Sequence, residues 1–290
     1  MKYFDLTQGS PEWFAARAGI PTSSCFDNII TPKTMELSKS FGSYANHLIA
    51  ELLLGKPLED FRGTFSMERG GALEDEAARL YQMITGDQVE RGGFCTDDAF
   101  TMGASPDRRI LRPDGTVKKC LEIKVPNPET HVANMVANEI DRKYYPQVQG
   151  QMLVTGAEAV DWISYHPEMA PVIITTPRDD AFIAKLEAAL DAFHVELRKK
   201  LQRLVDLGYV ERIPEYKRPK ETGPAWFEQP FDDEQEIPVF DAAVPDMAHL
   251  PEKEPETQPT KEQLAREARE RLAAANKRAA AAAMGDSHGH

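Results

Sequence analysis

The sequence predicts an α/β protein in which a mixed central β-sheet is flanked by α-helices. Two observations lead to this fold class. Segments with helical hydrophobic spacing precede a central group of short β-like runs, and further strands then alternate with helices along the chain. The chain has 290 residues, of which 41% are hydrophobic, and this is enough for one sizeable core. We therefore expect one folded domain with an appendage.

Helical segments are predicted ahead of the sheet. Their expected first turns lie at Ser10, Thr22, Ser40 and Ser66. Ser10 is followed by Pro11, and a serine N-cap before a proline in the first turn is a common helix start. Gly55 and Gly86 follow the third and fourth segments, where glycine commonly ends a helix. The amino-terminal part of the domain should therefore be mainly helical.

The predicted sheet begins with four short runs that have β-like patterning. They are Gln88–Thr96, Phe100–Ala104, Arg108–Leu111 and Val117–Val125. A Pro113-Asp114-Gly115 turn joins the last two runs as a hairpin. The elements predicted after this hairpin are helices at Glu129–Asn138 and Tyr144–Thr155, strands at Ala159–Tyr165 and Val172–Thr175, and a long amphipathic helix from Asp179 to Leu207.

The composition changes after Tyr209, so we predict a domain of residues 1–209. Nine prolines lie between Pro214 and Pro259, and residues 221–262 hold twelve acidic residues against two lysines. Such a segment cannot build a core, and we expect residues 210–260 to be extended or disordered. Residues 261–290 are rich in alanine, and we expect a solvated tail that can form a helix.

The overall composition excludes several classes of protein. Three cysteines without a CxxC pair argue against a disulfide framework or a zinc module, and favour a reducing compartment. The sequence has no apolar run of membrane-spanning length, so a cytoplasmic protein is expected. The net charge of −13 lies mostly in the acidic segment after Tyr209, and the remainder is close to neutral. A local basic groove could still bind DNA.

Charged residues occupy an unusual place in the predicted hairpin. Asp107 stands before one strand, and Glu122 and Lys124 lie within the next, on the face opposite to Ile123. Carboxylates on adjacent strands can converge on a hard cation such as Mg²⁺, and a lysine beside them can orient a water or offset charge on a phosphate. The alternative is an exposed hairpin in which these charges form ordinary cross-strand pairs.

Further motifs favour the metal site. The residues Asp107 and Glu122-x-Lys124 resemble the PD-(D/E)xK nuclease superfamily, and the chain is similar to its lambda exonuclease and YqaJ-type viral recombinase branch. The stretches that carry this resemblance are the opening from Trp13 through Arg17 to Ser24, Gly70-x-x-x-Glu74, Ser105-Pro106-Asp107, and Gln147-x-Gln149-x-Gln151. Each stretch is weak alone, but four in the same order make a strong joint signal. The resemblance implies a restriction-endonuclease-like core.

The resemblance also assigns roles to individual residues. Asp107, Glu122, the Ile123 carbonyl and Glu74 would hold two Mg²⁺ ions, for which Mn²⁺ can substitute. Lys124 would position the attacking water with the help of Gln147. Arg17, Ser24 and Ser105 match the positions that bind the 5′-terminal phosphate, and a guanidinium with two hydroxyls suits that anion. Trp13 is expected in the core, while Gln149 and Gln151 are expected to satisfy neighbouring backbone.

The function implied is that of an Mg²⁺-dependent exonuclease that digests one strand of duplex DNA from a 5′-phosphorylated end. A homotrimer, a single-strand annealing protein as partner and a phage-type recombination role in a bacterial cytoplasm are implied by the resemblance alone. Two alternatives stay open at this point. One is an endonuclease or DNA-end processor with the same metal site, and the other is a non-catalytic DNA-binding scaffold.

Overall fold

A computed structural model describes residues 1–58, 65–216, 218, 219, 263, 266, 269 and 270, and only the backbone of residues 65–72. Most of the acidic segment at 210–260 and of the tail at 261–290 lies outside these residues. The predictions for both segments, and for the boundary after residue 209, therefore stay predictions.

The predicted helices are present, with small shifts at their ends. The α-helices are α1 Pro11–Arg17, α2 Phe41–Leu54, α3 Phe65–Thr85, α4 Pro128–Ala137, α5 Tyr145–Thr155 and α6 Asp180–Asp206. The hydroxyl of Ser10 accepts a hydrogen bond of 3.1 Å from the backbone N–H of Trp13, which confirms the predicted cap of α1. The short helix predicted at Thr22 is a 3-10 helix, Ser23–Asn28, and a second 3-10 turn covers Arg142–Tyr144.

The strands form two sheets. They are β1 Lys2–Phe4, β2 Glu90–Arg91, β3 Phe94–Thr96, β4 Gly103–Ala104, β5 Arg108–Leu111, β6 Val117–Lys124, β7 Ala159–Ser164 and β8 Val172–Pro177. The larger sheet has the order β2-β5-β6-β7-β8 and is mixed, because β6 and β7 are parallel while the other pairs are antiparallel. A small sheet has the order β1-β3-β4. The predicted fold class, a mixed sheet flanked by helices, is confirmed.

The predicted strand Gln88–Thr96 is wrong as a single element. It consists of β2 in the large sheet and β3 in the small one, with Gly92 and Gly93 between them. A Cβ at Gly92 would lie 1.4 Å from the carbonyl oxygen of Pro106, so only glycine lets the two chain segments approach so closely. The chain changes sheets at this point and passes directly against Pro106.

The large sheet is covered by helices on both faces. Ala77 and Tyr81 of α3 pack with Leu121 and Ile123 on one face. Apolar residues of α5 pack with the other face, including Val148 and Met152 against Cys120 and Val160. Because side chains alternate along β6, Glu122 and Lys124 lie on the face opposite to Ile123, towards α5. Ile123 is buried in the core, as predicted.

A further apolar cluster joins α2 and α6 to the 3-10 helix, with Phe26, Leu48 and Phe193 at its centre. Helix α5 contacts this 3-10 helix at Gly150, where a Cβ would lie 2.4 Å from the ring of Phe26. The position of the 3-10 helix therefore depends on the absence of a side chain in α5. Within the part of the chain that the structure describes, no helix is long and apolar enough to cross a membrane.

Replacement of Gly150 by alanine tests this contact. Alanine normally favours a helix over glycine by up to about 1 kcal/mol. At Gly150 the added methyl group would overlap the Phe26 ring, and we expect a loss of roughly 1–3 kcal/mol in the free energy of unfolding. Urea denaturation of Gly150→Ala and Gly42→Ala provides the comparison, because a Cβ at Gly42 in α2 meets its nearest atom at 3.9 Å. Equal stability of the two variants would contradict the proposed contact.

Candidate active site

Asp107 and Glu122 lie side by side because of the register between β5 and β6. Arg108 pairs with Leu121 in this antiparallel ladder, so the next residues outwards are Asp107 and Glu122. Both side chains are buried, with 5% and 2% of their surface exposed. One carboxylate oxygen of Asp107, Oδ2, accepts a 2.6 Å hydrogen bond from the backbone N–H of Ile123, and Oδ1 accepts one of 3.3 Å from Gln8.

The carboxylate of Glu122 is held by donors from two elements. Its Oε1 accepts hydrogen bonds from Lys124 Nζ at 2.6 Å and from Gln147 Nε2 at 2.7 Å. Its Oε2 accepts one from Gln151 Nε2 at 2.5 Å. Gln147 and Gln151 are four residues apart in α5, so their side chains share one face of that helix. Strand β6 therefore provides the acid and its lysine, and α5 provides two amides.

The electrostatic environment of Asp107 disfavours its charge. Burial raises the pKa of Asp107 well above its ordinary value, and the charges of Glu122 and Glu74 raise it further, while Lys124 and the Ile123 N–H act in the opposite direction. Burial alone would lower the pKa of Lys124, but Glu122 and Asp107 outweigh it and raise that pKa above its ordinary value. Lys124 is therefore a stable cation beside an acid pair.

Glu74 lies on α3, where its side chain is partly buried. Burial raises the pKa of Glu74, Arg108 lowers it, and Glu122 raises it. Glu74 is thus close enough to sense the charge of Glu122. In the residues that the structure describes, however, no group of three or more His, Cys, Asp or Glu side chains is gathered as a metal cluster. The assignment of Glu74 and of the Ile123 carbonyl to metal binding stays a prediction.

Polar contacts attach α3 to the large sheet. The hydroxyl of Tyr81 donates a 2.5 Å hydrogen bond to Asp161 of β7. The hydroxyl of Tyr165 donates one of 2.6 Å to Glu76, and Arg108 forms a salt bridge with Asp75. The three α3 residues in these contacts all follow Glu74 in the sequence, and Asp75 is directly beside it. They fix the position of α3 on the sheet, and with it the position of Glu74 relative to the acid pair.

The acid pair fits a hard divalent cation. Both side chains offer carboxylate oxygens, which Mg²⁺ and Mn²⁺ prefer, and they lie next to each other on adjacent strands. Burial raises the pKa of Asp107 most, and the excess of negative charge from Glu122 and Glu74, which Lys124 does not offset fully, raises it further. A bound cation would relieve that excess. The residues of the pair are therefore of a type that could hold the cation, and the metal site predicted from the sequence stays a prediction.

A second polar cluster surrounds Arg17 at the end of α1. One nitrogen of its guanidinium, NH1, donates a 3.1 Å hydrogen bond to Ser105 Oγ. The other, NH2, donates to Thr22 Oγ1 and Ser24 Oγ, both at 3.1 Å. The ring of Trp13 lies 4.1 Å from the guanidinium carbon, and its indole N–H donates to Ser105 Oγ at 3.0 Å. The structure brings together the three predicted phosphate-binding residues.

The hydrogen bonds of this cluster leave a donor for an anion. Ser105 Oγ accepts from both Trp13 and Arg17, so its own O–H is directed away from them. Ser24 is exposed, whereas Ser23 is buried, and Ser24 is the serine that contacts Arg17. A guanidinium charge beside two accessible hydroxyls can bind a phosphate monoester.

The two clusters are connected by a short stretch of the chain. Ser105 belongs to the Arg17 cluster and Asp107 to the acid pair, and only Pro106 separates them. The carbonyl of Pro21, which lies in the motif before Ser24, accepts a 2.9 Å hydrogen bond from the Gly103 N–H. Thr22 forms an isolated parallel bridge with Gly103. Pro21 therefore supports the approach of Ser24 to Ser105.

Some residues of the site were not assigned to it from the sequence. Gln8 and Thr22 had no predicted role in the site, and Gln151 was expected to contact backbone. Gln149 does contact backbone, since it donates to the Pro177 carbonyl at 3.0 Å and accepts from the Asp179 N–H at 2.9 Å. The four-residue spacing from Gln147 to Gln151 was the available signal for Gln151. Trp13 is buried, as predicted, and it also braces Arg17.

Gln151 is satisfied at one end only. It is fully buried, and its Oε1 has no hydrogen-bond partner among the described residues. An unsatisfied buried acceptor costs about 1–3 kcal/mol. The amide cannot be reversed, because its oxygen would then face the Glu122 carboxylate. The contact with Glu122 is therefore retained at some cost to stability.

Removal of the Asp107 charge should stabilise the metal-free protein. When the folded state raises the pKa of a carboxyl, the folded protein becomes less stable as the pH rises from the ordinary pKa of that group through the raised one. We expect Asp107→Asn to melt a few degrees higher than the wild type at neutral pH without divalent cations, since about 1 kcal/mol corresponds to roughly 2–4 °C in a domain of this size. The difference should vanish in acid.

Asp161→Asn is the matched control for this measurement. Asp161 is also buried, but its Oδ2 accepts hydrogen bonds from Lys119 Nζ at 2.6 Å and from Tyr81. Loss of this partnered charge should lower the melting temperature. Calorimetry of the three proteins across a pH series decides the question. A lower melting temperature for Asp107→Asn at neutral pH would show that Asp107 is a favourable structural charge.

Residues 12–158, just over half of the chain, match the YqaJ-like viral recombinase domain. An alkaline exonuclease from Laribacter hongkongensis is 30% identical, with a TM-score of 0.60 and coverage of 69% of this chain and 98% of that chain. Its structure in complex with dAMP matches with the same values.

A phage related exonuclease from Haemophilus somnus 129PT is 15% identical over 65% of this chain and 97% of that one, with a TM-score of 0.49. No curated protein matches the sequence. The predicted restriction-endonuclease-like core agrees with the nuclease fold of the Laribacter hongkongensis alkaline exonuclease. The chain belongs to the family of the YqaJ-like viral recombinase domain, and it is related to alkaline exonucleases of the lambda exonuclease type.

Proposed function

We propose that this protein is an Mg²⁺-dependent exonuclease that digests one strand of linear duplex DNA in the 5′ to 3′ direction, from 5′-phosphorylated ends, and leaves 3′ overhangs. One observation carries the proposal. Ser105, which contacts Arg17, and Asp107, which stands beside Glu122, lie on the same three-residue segment. A site for a terminal phosphate and a site for hydrolysis would then be neighbours, as removal of terminal nucleotides requires.

Asp107 and Glu122 would hold the cation, with Glu74 and the Ile123 carbonyl as further ligands for a pair of ions. A bound Mg²⁺ ion supplies Lewis acidity at the scissile phosphate and lowers the pKa of water. The residues of the chain supply the positions. Asp107 is restrained through Oδ2 by the Ile123 N–H, and Glu122 is restrained through Oε1 by Lys124 and Gln147.

Lys124 would orient the attacking water and offset charge on the phosphate. Its side chain is 29% exposed, so its ammonium can contact a water or a substrate while it donates to Glu122. Because the acid pair raises the pKa of Lys124, this side chain stays protonated at neutral pH and acts as a hydrogen-bond donor. Gln147, which contacts the same Glu122 oxygen, would hold Lys124 and the water in register.

Arg17, Ser24 and Ser105 would bind the terminal 5′-phosphate. The three side chains already form one hydrogen-bonded group, so little rearrangement is needed to receive an anion. The related alkaline exonuclease from Laribacter hongkongensis has been crystallised with dAMP. A nucleoside monophosphate is the class of product that the proposed reaction releases.

The proposal extends to assembly and context. A homotrimer that encloses the DNA would let a nearly neutral domain remain on its substrate without a strongly basic surface. Function in phage-type recombination, beside a single-strand annealing protein in the cytoplasm of a bacterial host, accords with membership of the viral recombinase family.

Digestion of end-labelled duplexes tests the activity. With Mg²⁺, the wild-type protein should release mononucleotides from a strand with a 5′-phosphate and leave supercoiled plasmid intact. Lys124→Ala should lower the rate by roughly 10²–10⁴-fold, as expected for the loss of a group that acts in the transition state. Circular dichroism verifies that the variant is folded. Nicking of the plasmid would indicate an endonuclease, and no release with Mg²⁺ or Mn²⁺ would indicate a scaffold.

The end preference is tested at Arg17. Hydrogen bonds to charged groups contribute about 1.5–3 kcal/mol, so Arg17→Ala should slow digestion of 5′-phosphorylated ends by roughly ten- to a hundredfold. Ends with a 5′-hydroxyl are the internal control and should be slowed much less. Arg17→Lys keeps the charge but lacks the fork, and should give an intermediate result. Equal losses on both kinds of end would assign Arg17 to folding.

A further inference from the structure

The carboxylate of Glu122 has a donor on each of its oxygens, and the donor on Oε2 has no assigned role. This donor is the side-chain amide of Gln151, at 2.5 Å. We propose that Gln151 is a positioning residue that fixes the orientation of the Glu122 carboxylate for cation binding. The inference rests on the proposed function and deepens it, because it adds a residue that contacts the proposed metal ligand Glu122 at the oxygen that Lys124 and Gln147 leave free.

The contact restrains a torsion that would otherwise be loose. The terminal torsion of a glutamate side chain is broad, so a carboxylate held at one oxygen can still turn. Lys124 and Gln147 both donate to Oε1. Gln151 acts on Oε2, one helical turn further along α5 than Gln147. Donors on both oxygens therefore fix the carboxylate plane before a cation arrives.

A structural role alone does not account for Gln151. Its neighbours in the sequence and in space include Val148 and Met152, which pack in an apolar cluster with Cys120. A methionine would fill this place without leaving an acceptor unsatisfied. Gln151 instead keeps its Oε1 buried without a partner among the described residues and directs its only paired group to Glu122.

Gln149 provides the contrast on the same helix. It is as fully buried as Gln151, but within the described residues both ends of its amide are paired with backbone, at Pro177 and Asp179. Gln149 therefore links α5 to the start of α6. The two glutamines have the same side chain and the same burial, and they differ in whether they contact the acid pair.

The experiment is an isothermal titration calorimetry measurement, in which the full-length protein is titrated with Mn²⁺ alone, without DNA. Groups that hydrogen-bond to metal ligands typically contribute 10–100-fold to metal affinity. We expect Gln151→Met to bind Mn²⁺ roughly ten- to a hundredfold more weakly than the wild type. Gln149→Met should bind it within about twofold of the wild type, although its melting temperature should fall, because its lost hydrogen bonds are structural.

The other outcomes distinguish a failure of the positioning role from a failure of the proposed function. Wild-type affinity in Gln151→Met, or an equal loss in Gln149→Met, overturns the positioning role and leaves the proposed nuclease function standing. A wild-type protein that binds no Mn²⁺ overturns both. Should Gln151→Met fail to fold, Gln151→Leu removes the same donor with a side chain of another shape, and thermal unfolding without metal verifies its fold before titration.

Discussion

The burial of two adjacent carboxylates is the constraint on which the rest of this structure depends. Placing a charge in a protein interior costs several kcal/mol per ion unless partners offset it. Asp107 and Glu122 are both buried at the end of the β5–β6 ladder, and the raised pKa of Asp107 shows that the offset is incomplete. The structure provides a backbone N–H, an ammonium and side-chain amides around the pair. In the proposed metal site, a divalent cation would supply the charge that these partners do not offset.

Helix α5 organises the site because its successive residues face different neighbours. Gln147 and Gln151 direct their amides to Glu122, and Gln149 contacts backbone at the ends of β8 and α6. Gly150 lets the helix approach the 3-10 helix that carries Ser24. One element thus contacts both the acid pair and the 3-10 helix of the Arg17 cluster. This is why the distance between the two clusters is a property of the core and not of a surface loop.

The helices and the hairpin were predictable because their signals are local. The cap of α1, the glycines after α2 and α3, and the turn between β5 and β6 each depend on residues that are close in sequence. The small strands were not. Lys2–Phe4 was not predicted, and Gln88–Thr96 was predicted as one strand, because runs of two or three residues become strands only through pairing with distant segments. Gly92 is an example, because it packs against the backbone of Pro106, which is distant in the sequence.

The sequence by itself determined the fold class, the acidic pair with its lysine, and the arginine with its two serines, because these depend on residue type, alternation and motif order. Tertiary structure decided which side chains complete each group. Gln8 reaches the site from a segment whose own pattern does not mark it, and Thr22 and Gln151 lie in motifs that did not assign them to it. Trp13 is both a core residue and a contact of Arg17. Residue type states what a side chain can donate or accept. Its partner is settled only when distant segments are packed together.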